Sequence, residues 1–199
     1  MLEEKIKIRN VKRTNIKVKD QFDFFNKLVY EEKIIQDKLI MLQPKKSNHY
    51  WSVGQSDIEH KTINEEIIFI VEQSKRDNKY GIKLRCQKFI KEPFFRFDSD
   101  GPAHRNENPK IPLEEQSIKT PHFNSFDENG KYIAYQNDTL KNENEAQIIA
   151  NDINFGISLF CMETNSKLND DNFPNITDSI QELEFAVKNN INFDNINFE

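Results

Sequence analysis

"EEIIFIVEQSKRDNKYGIKLRCQKFI", Glu65 to Ile90, is the stretch that decides the fold. Two apolar-rich runs flank the polar segment Ser74–Lys79, which predicts a long antiparallel hairpin. In the second run Ile82, Leu84 and Cys86 fall on one side and Lys83, Arg85 and Gln87 on the other, the period of a strand with one covered face. Ile67–Val71 is the longest clean apolar run. It is far shorter than the roughly 20 residues of a membrane-spanning helix.

More strands lie on both sides of this hairpin. "NHYWSVGQSDIEH", Asn48 to His60, drifts toward period two, and "EPFFRFD", Glu92 to Asp98, is a short aromatic strand. "TPHFNSFDENGKYIAY", Thr120 to Tyr135, is a second hairpin turning at Asp127–Gly130. Between these last two strands runs a loop, Ser99 to Lys119, with three prolines. A loop of that length in a compact domain is usually functional or disordered.

Helices are expected at both ends. Phe22, Phe25, Leu28, Val29, Ile35, Leu39 and Leu42 recur at three- and four-residue spacing, with Asp20 as N-cap and Pro44 as stop. A second helix is expected over 142–163, with Gly156 a cost inside it. Thr177 is placed to cap a last helix, "DSIQELEFAVKN". Residues 1–19 alternate basic and β-branched residues, as an edge strand or a loose arm would, and the tail nearly repeats "NINF". The fold class that follows is α+β, an antiparallel sheet of hairpins with an N-terminal helix and C-terminal helices on one face. Residues 1–165 form one domain in this reading; 166–199 add a helix and tail, packed on it or loosely attached.

Hydrophobic residues make up 36% and charged residues 31%, which is polar, but 16 Phe residues can supply a core. Cys86 and Cys161 read as small buried hydrophobes, since no CxxC occurs. The N-terminus lacks the apolar run of a secretory signal, so a soluble cytoplasmic protein is expected. The net charge of −5 is uneven: residues 1–110 hold 23 Lys/Arg against 17 Asp/Glu, and residues 111–199 hold 5 against 16. The basic part can contact nucleic acid or simply complement the acidic part, which can itself face a basic partner. No Gly-rich phosphate loop, nucleophile elbow, zinc-finger or HExxH pattern is present, and no cofactor follows from the sequence.

One constellation carries chemistry: "FFRFDSDGPAHRN", Phe94 to Asn106, with His122 of the second hairpin. Arg96 and Asp98 share the strand face opposite Phe95 and Phe97, while His122 and Asn124 share a face of the next strand. If the two strands are neighbours, the long loop can fold His104 over the same spot. Two histidines and an arginine suffice to cleave RNA through its 2′-hydroxyl without metal. His104 and His122 are the acid and base, Arg96 and Arg105 hold phosphate, and Asp98, Asp100 and Asn124 line the substrate. Asp98, Asp100, His104 and His122 also offer ligands to a divalent metal. The plainer alternative is a capped turn, Asp98 to Pro102, beside a surface ion pair. His49, His60 and the Tyr50-Trp51 pair lack such a setting, although Tyr50-Trp51 can stack a base.

"FFRFDSDGPAHRN" followed by "TPHFNSFDENGKYIAY" resembles the signature of a family of small bacterial and phage proteins. The order of parts is also loosely similar to TumE-like toxins of toxin–antitoxin pairs, on Arg96, Phe97, Asp98, His104, Pro121 and His122. Those toxins cluster several histidines and carry Tyr where this chain has Phe97. The resemblance spans about forty residues and implies a role in cleaving or binding RNA, with partner binding by the flanking helices. The other functional class is a non-enzymatic phage or mobile-element protein whose acidic C-terminal half engages a partner protein.

Overall fold

The computed structural model describes residues 14–77, 79–108 and 111–178. Two short helices open it, α1 (Ile16–Asp20) and α2 (Phe22–Tyr30). Strands follow: β1 (Lys33–Ile35), β2 (Leu39–Lys45), β3 (Asn48–His60), β4 (Ile67–Ser74), β5 (Tyr80–Arg85), β6 (Phe95–Asp98), β7 (His104–Arg105), β8 (Ser117–Ile118), β9 (His122–Phe126) and β10 (Tyr132–Tyr135). Three helices come next, α3 (Asp138–Lys141), α4 (Glu143–Asn151) and α5 (Ile153–Glu163), then β11 (Ser166–Lys167) and β12 (Asn175–Asp178). The chain is thus mixed α+β, with a mostly antiparallel sheet and a few helices.

The main sheet runs β10-β9-β6-β5-β4-β3-β1-β11, and β2 pairs with β3 and β12. The long strand β3 pairs with β4 along one edge and has two partners on the other: its first half faces β2 (Gln43↔Val53) and its end faces β1 (Lys33↔His60). The two C-terminal strands add in parallel, β11 to β1 and β12 to β2. β7 and β8 form a small sheet of their own inside the long loop.

The core is aromatic. Phe69, Phe94, Phe95, Phe97, Phe123 and Phe160 are fully buried. Phe160 of α5 meets Phe69 and Phe95 edge-on, with ring centroids 5.8 and 5.5 Å apart. Such pairs add to the area term of burial. Both cysteines are free and buried, and burial pushes the Cys161 thiol up to about 12.

The helices depart from the sequence expectation. The N-terminal helix ends at Tyr30, not at Pro44. Beyond it the buried positions fall in twos, Lys33 and Ile35, then Ile40 and Leu42, with Leu39 and Met41 exposed. The three-and-four spacing of Ile35, Leu39 and Leu42 coincides with a helical stripe, but β-branched Ile34-Ile35 favour extended backbone, and β3, β11 and β12 supply strand partners for this stretch. Asp20 closes α1 instead of capping a helix; the cap is Asn15, which accepts from Val18 N. Pro44 sits in β2 at a bulge, a position that tolerates a missing N–H.

The expected helix over 142–163 is two, broken at Asp152. Asn142 caps α4 and Asp152, in extended backbone, caps α5. Tyr80 explains the break. Its hydroxyl donates to the carbonyls of Ile149 and Asp152, and a Cβ on Gly156 would overlap it. Gly156 is therefore required for close approach of α5 to β5. Thr177 lies in β12, paired with Met41. The rest of the expected last helix, the tail and the N-terminal arm before Thr14 lie outside the described residues. No helix among the described residues is long and apolar enough to cross a membrane.

Candidate active site

Strands β6 and β9 are neighbours, with Arg96 opposite Asn124 and Asp98 opposite His122. Because side chains alternate, Phe95, Phe97 and Phe123 enter the core and these four polar residues share the other face. The described residues of the loop, 99–108 and 111–119, fold back over that face. All of β9 is buried as a result, on both sides.

The long loop is pinned at several points. The Asn106 side chain donates to Ala134 O (2.7 Å) and accepts from Ala134 N (2.8 Å), so it imitates the next strand at the β10 edge. Asn106 N in turn donates to Gln116 O, and Gln116 Nε2 donates to Asn108 O and Ile111 O. Two residues before Asn106, His104 comes to lie against Tyr132 and His122, with ring centroids 5.6 and 6.2 Å apart. The result is a cleft of about 230 Å³ whose lining includes Arg96, Asp98, His104, His122, Asn124 and Tyr132.

Asp98 is the hub of the floor. Its Oδ1 accepts from Arg96 Nε (2.7 Å) and pairs with Nη2 (2.5 Å), and its Oδ2 accepts from Asn124 Nδ2 (2.8 Å). Arg96 keeps a side chain 41% exposed, so its outer edge faces the cleft mouth. His122 is 3% exposed, and its Nδ1 lies 3.2 Å from Lys119 O. A carbonyl only accepts, so Nδ1 carries the proton and the lone pair of the neutral ring is on Nε2. Burial lowers the His122 pKa, and Asp98 opposes that shift with its Oδ2 3.8 Å from Nε2. The ring is neutral at pH 7 and has a carboxylate beside it to stabilise the imidazolium once a proton arrives. Burial raises the Tyr132 hydroxyl to about 12, so it stays a donor.

The structure brings Arg96, Asp98, His104, His122 and Asn124 together. Arg105 alternates away from His104 on β7 and is not among the residues lining the cleft. Asp100 stands at the rim, where it accepts from Gly101 N and pairs with Lys79 at 3.0 Å; Lys79 lowers its pKa first, and the Gly101 hydrogen bond adds to that. Both Asp98 carboxylate oxygens are taken, by Arg96 and by Asn124 Nδ2, so Asp98 holds the floor rather than reaches for a ligand. No group of three His, Cys, Asp or Glu among the described residues is placed to hold a metal ion. Sequence reasoning missed Tyr132 and Asn106. Asn106 ends the quoted "HRN", but its role depends on Ala134, 28 residues away.

His49 stacks beside Tyr50 on the protein surface, far from this arrangement in the chain. His60 is structural. Its Nε2 donates to Lys27 O and its Nδ1 accepts from Thr62 N and Ile63 N. No family model, curated protein or solved structure matches the chain, so the geometry of the cleft is what the functional reading rests on.

Proposed function

We propose that the chain is a metal-independent ribonuclease of toxin or defence type. The observation that carries this is the meeting of His104 and His122, from separate segments, 6.2 Å apart in a cleft that also presents Arg96. Rings at that separation can stand on either side of one phosphate. His122 Nε2 accepts the proton of the 2′-hydroxyl, and the 2′-oxygen attacks phosphorus. The bond to the 5′-oxygen breaks as His104 gives that oxygen a proton, leaving a 2′,3′-cyclic phosphate and a 5′-hydroxyl. Arg96 and the Tyr132 hydroxyl face the charge that builds on the phosphorane.

The test is cleavage of a single-stranded oligoribonucleotide in EDTA, beside the same oligomer with 2′-deoxy sugars. Expected is cleavage of the ribose form alone, with a cyclic phosphate end. His104→Ala and His122→Ala should each lose about 10²–10⁴ in kcat. Unchanged rates in both variants would remove the assignment.

A second reading has its own support. Ile148, Phe155 and Met162 are 54%, 55% and 63% exposed on α4 and α5. These are the apolar side chains on α4 and α5 that a protein partner would cover. Phe155→Glu with Met162→Glu should abolish such binding in a pull-down and leave RNA cleavage intact.

A further inference from the structure

A larger groove of about 540 Å³ adjoins the cleft, and Asp100 and Thr120 line both. Its volume lies within the roughly 300–1,000 Å³ of small-ligand sites. The segment between them is shared too. Lys119 O, which holds His122 Nδ1, also accepts from Gln136 Nε2 at 3.3 Å, and Gln136 stands in the groove wall. The two cavities are thus continuous enough for a chain with its reacting phosphate between the histidines to extend into the groove.

The groove chemistry selects what continues there. Lys79 and Lys141 are neutralised by Asp100 and Asp138, at 3.0 and 2.9 Å. Lys119 makes no ion pair among the described residues and can meet one phosphate, while Asp77 and Glu143 in the same wall keep the groove from drawing further negative charge. Opposite it, α4 presents Gln147 and Asn151 one turn apart on one face. The Gln147 side-chain amide makes no hydrogen bond to a described residue, and it offers a donor and an acceptor side by side. That pair matches the edge of a nucleobase.

Resting on the ribonuclease reading above, we propose that this groove holds the nucleotide adjoining the scissile phosphate, its base read by Gln147 and its phosphate met by Lys119. The site is thus built for single-stranded RNA with a base preference at that position, held more by amides than by charge.

The experiment compares dinucleotides with trinucleotides extended at either end by each of the four bases, in EDTA, reading kcat and KM separately. Extension at one end should raise kcat/KM about tenfold or more, through KM, and by an amount that depends on the base. Gln147→Ala should flatten the base dependence, and Lys119→Gln should shrink the gain for all bases alike. The gain should weaken with salt by a log–log slope of about 0.7, that of one phosphate contact. Equal kcat/KM for di- and trinucleotides, or a base preference that survives Gln147→Ala, would overturn the inference while cleavage itself persists. Absence of cleavage with every substrate would remove the ribonuclease reading and this inference with it.

Discussion

Lys33 is the most informative residue for stability. Its side chain is fully buried, and its Nζ donates to Val29 O (2.7 Å) and Glu31 O (2.5 Å) at the end of α2. Burial lowers its pKa from 10.5 to about 7, with Glu31 opposing the shift. The charged form is thus penalised in the folded state. That penalty is complete below about pH 7 and disappears above the unfolded value of 10.5. Over this window the unfolded chain binds one more proton than the folded one, so stability rises with pH by about 1.4 kcal/mol per unit. The full span corresponds to about 5 kcal/mol.

Lys33→Met keeps the length of the side chain and removes both the charge and the two donors. The loss of donors costs about 1–3 kcal/mol at any pH. The loss of the charge offsets this by an amount that grows as pH falls: about 1.4 kcal/mol at pH 9.5, one unit below the unfolded value, and about 4 kcal/mol near pH 7. Lys33→Met should therefore lie close to or below the wild type in stability near pH 9.5, and above it near pH 7. Urea denaturation followed through the single tryptophan, Trp51, measures both chains at pH 7.5 and 9.5. The difference between them should move by about 3 kcal/mol across those two units. Other groups titrating in this range, such as the raised tyrosine and cysteine side chains, are common to both chains and cancel. A difference that stays constant with pH would refute the buried, charge-penalised lysine.

Four further outcomes follow. The acid limb of kcat/KM should report an apparent pKa below 6.5, because burial lowers that of His122. Asp98→Asn should move this limb further down, since it removes the opposite charge beside the ring; an unmoved pH profile would assign the limb elsewhere. Asn106→Ala should lower kcat about 10²-fold with KM little changed, as the loop loses its hold on Ala134 and His104 shifts; a loss confined to KM would count against a positioning role. Gly156→Ala should destabilise by about 1–3 kcal/mol through overlap with the Tyr80 hydroxyl, seen in the same urea titration.

The parts of the fold legible in the sequence are those carried by consecutive residues. Phe95 and Phe97 on one face with Arg96 and Asp98 on the other could be read directly, because strand alternation needs only the next residue. The stretch from Glu31 to Leu42 was misread for the same reason. Its apolar spacing fits a helix and a strand pair alike, and only pairing with β3 and burial of Lys33 decide between them. The break at Asp152 likewise depends on Tyr80, about 70 positions away. Asn and Asp at 151 and 152 are capping types, but they force no break until a tyrosine needs the space.

The sequence by itself determined the α+β class, the alternating faces of the central strands, and most of the polar side chains that line the cleft. Only the tertiary structure decided that β6 and β9 are neighbours in the register that sets Asp98 beside His122. It also decided that the loop delivers His104 into the cleft and turns Arg105 away from it. The physical reason is that side-chain periodicity is a local property of the backbone. Strand register and loop placement are set by contacts such as Asn106 with Ala134, which exist only once distant segments have packed together.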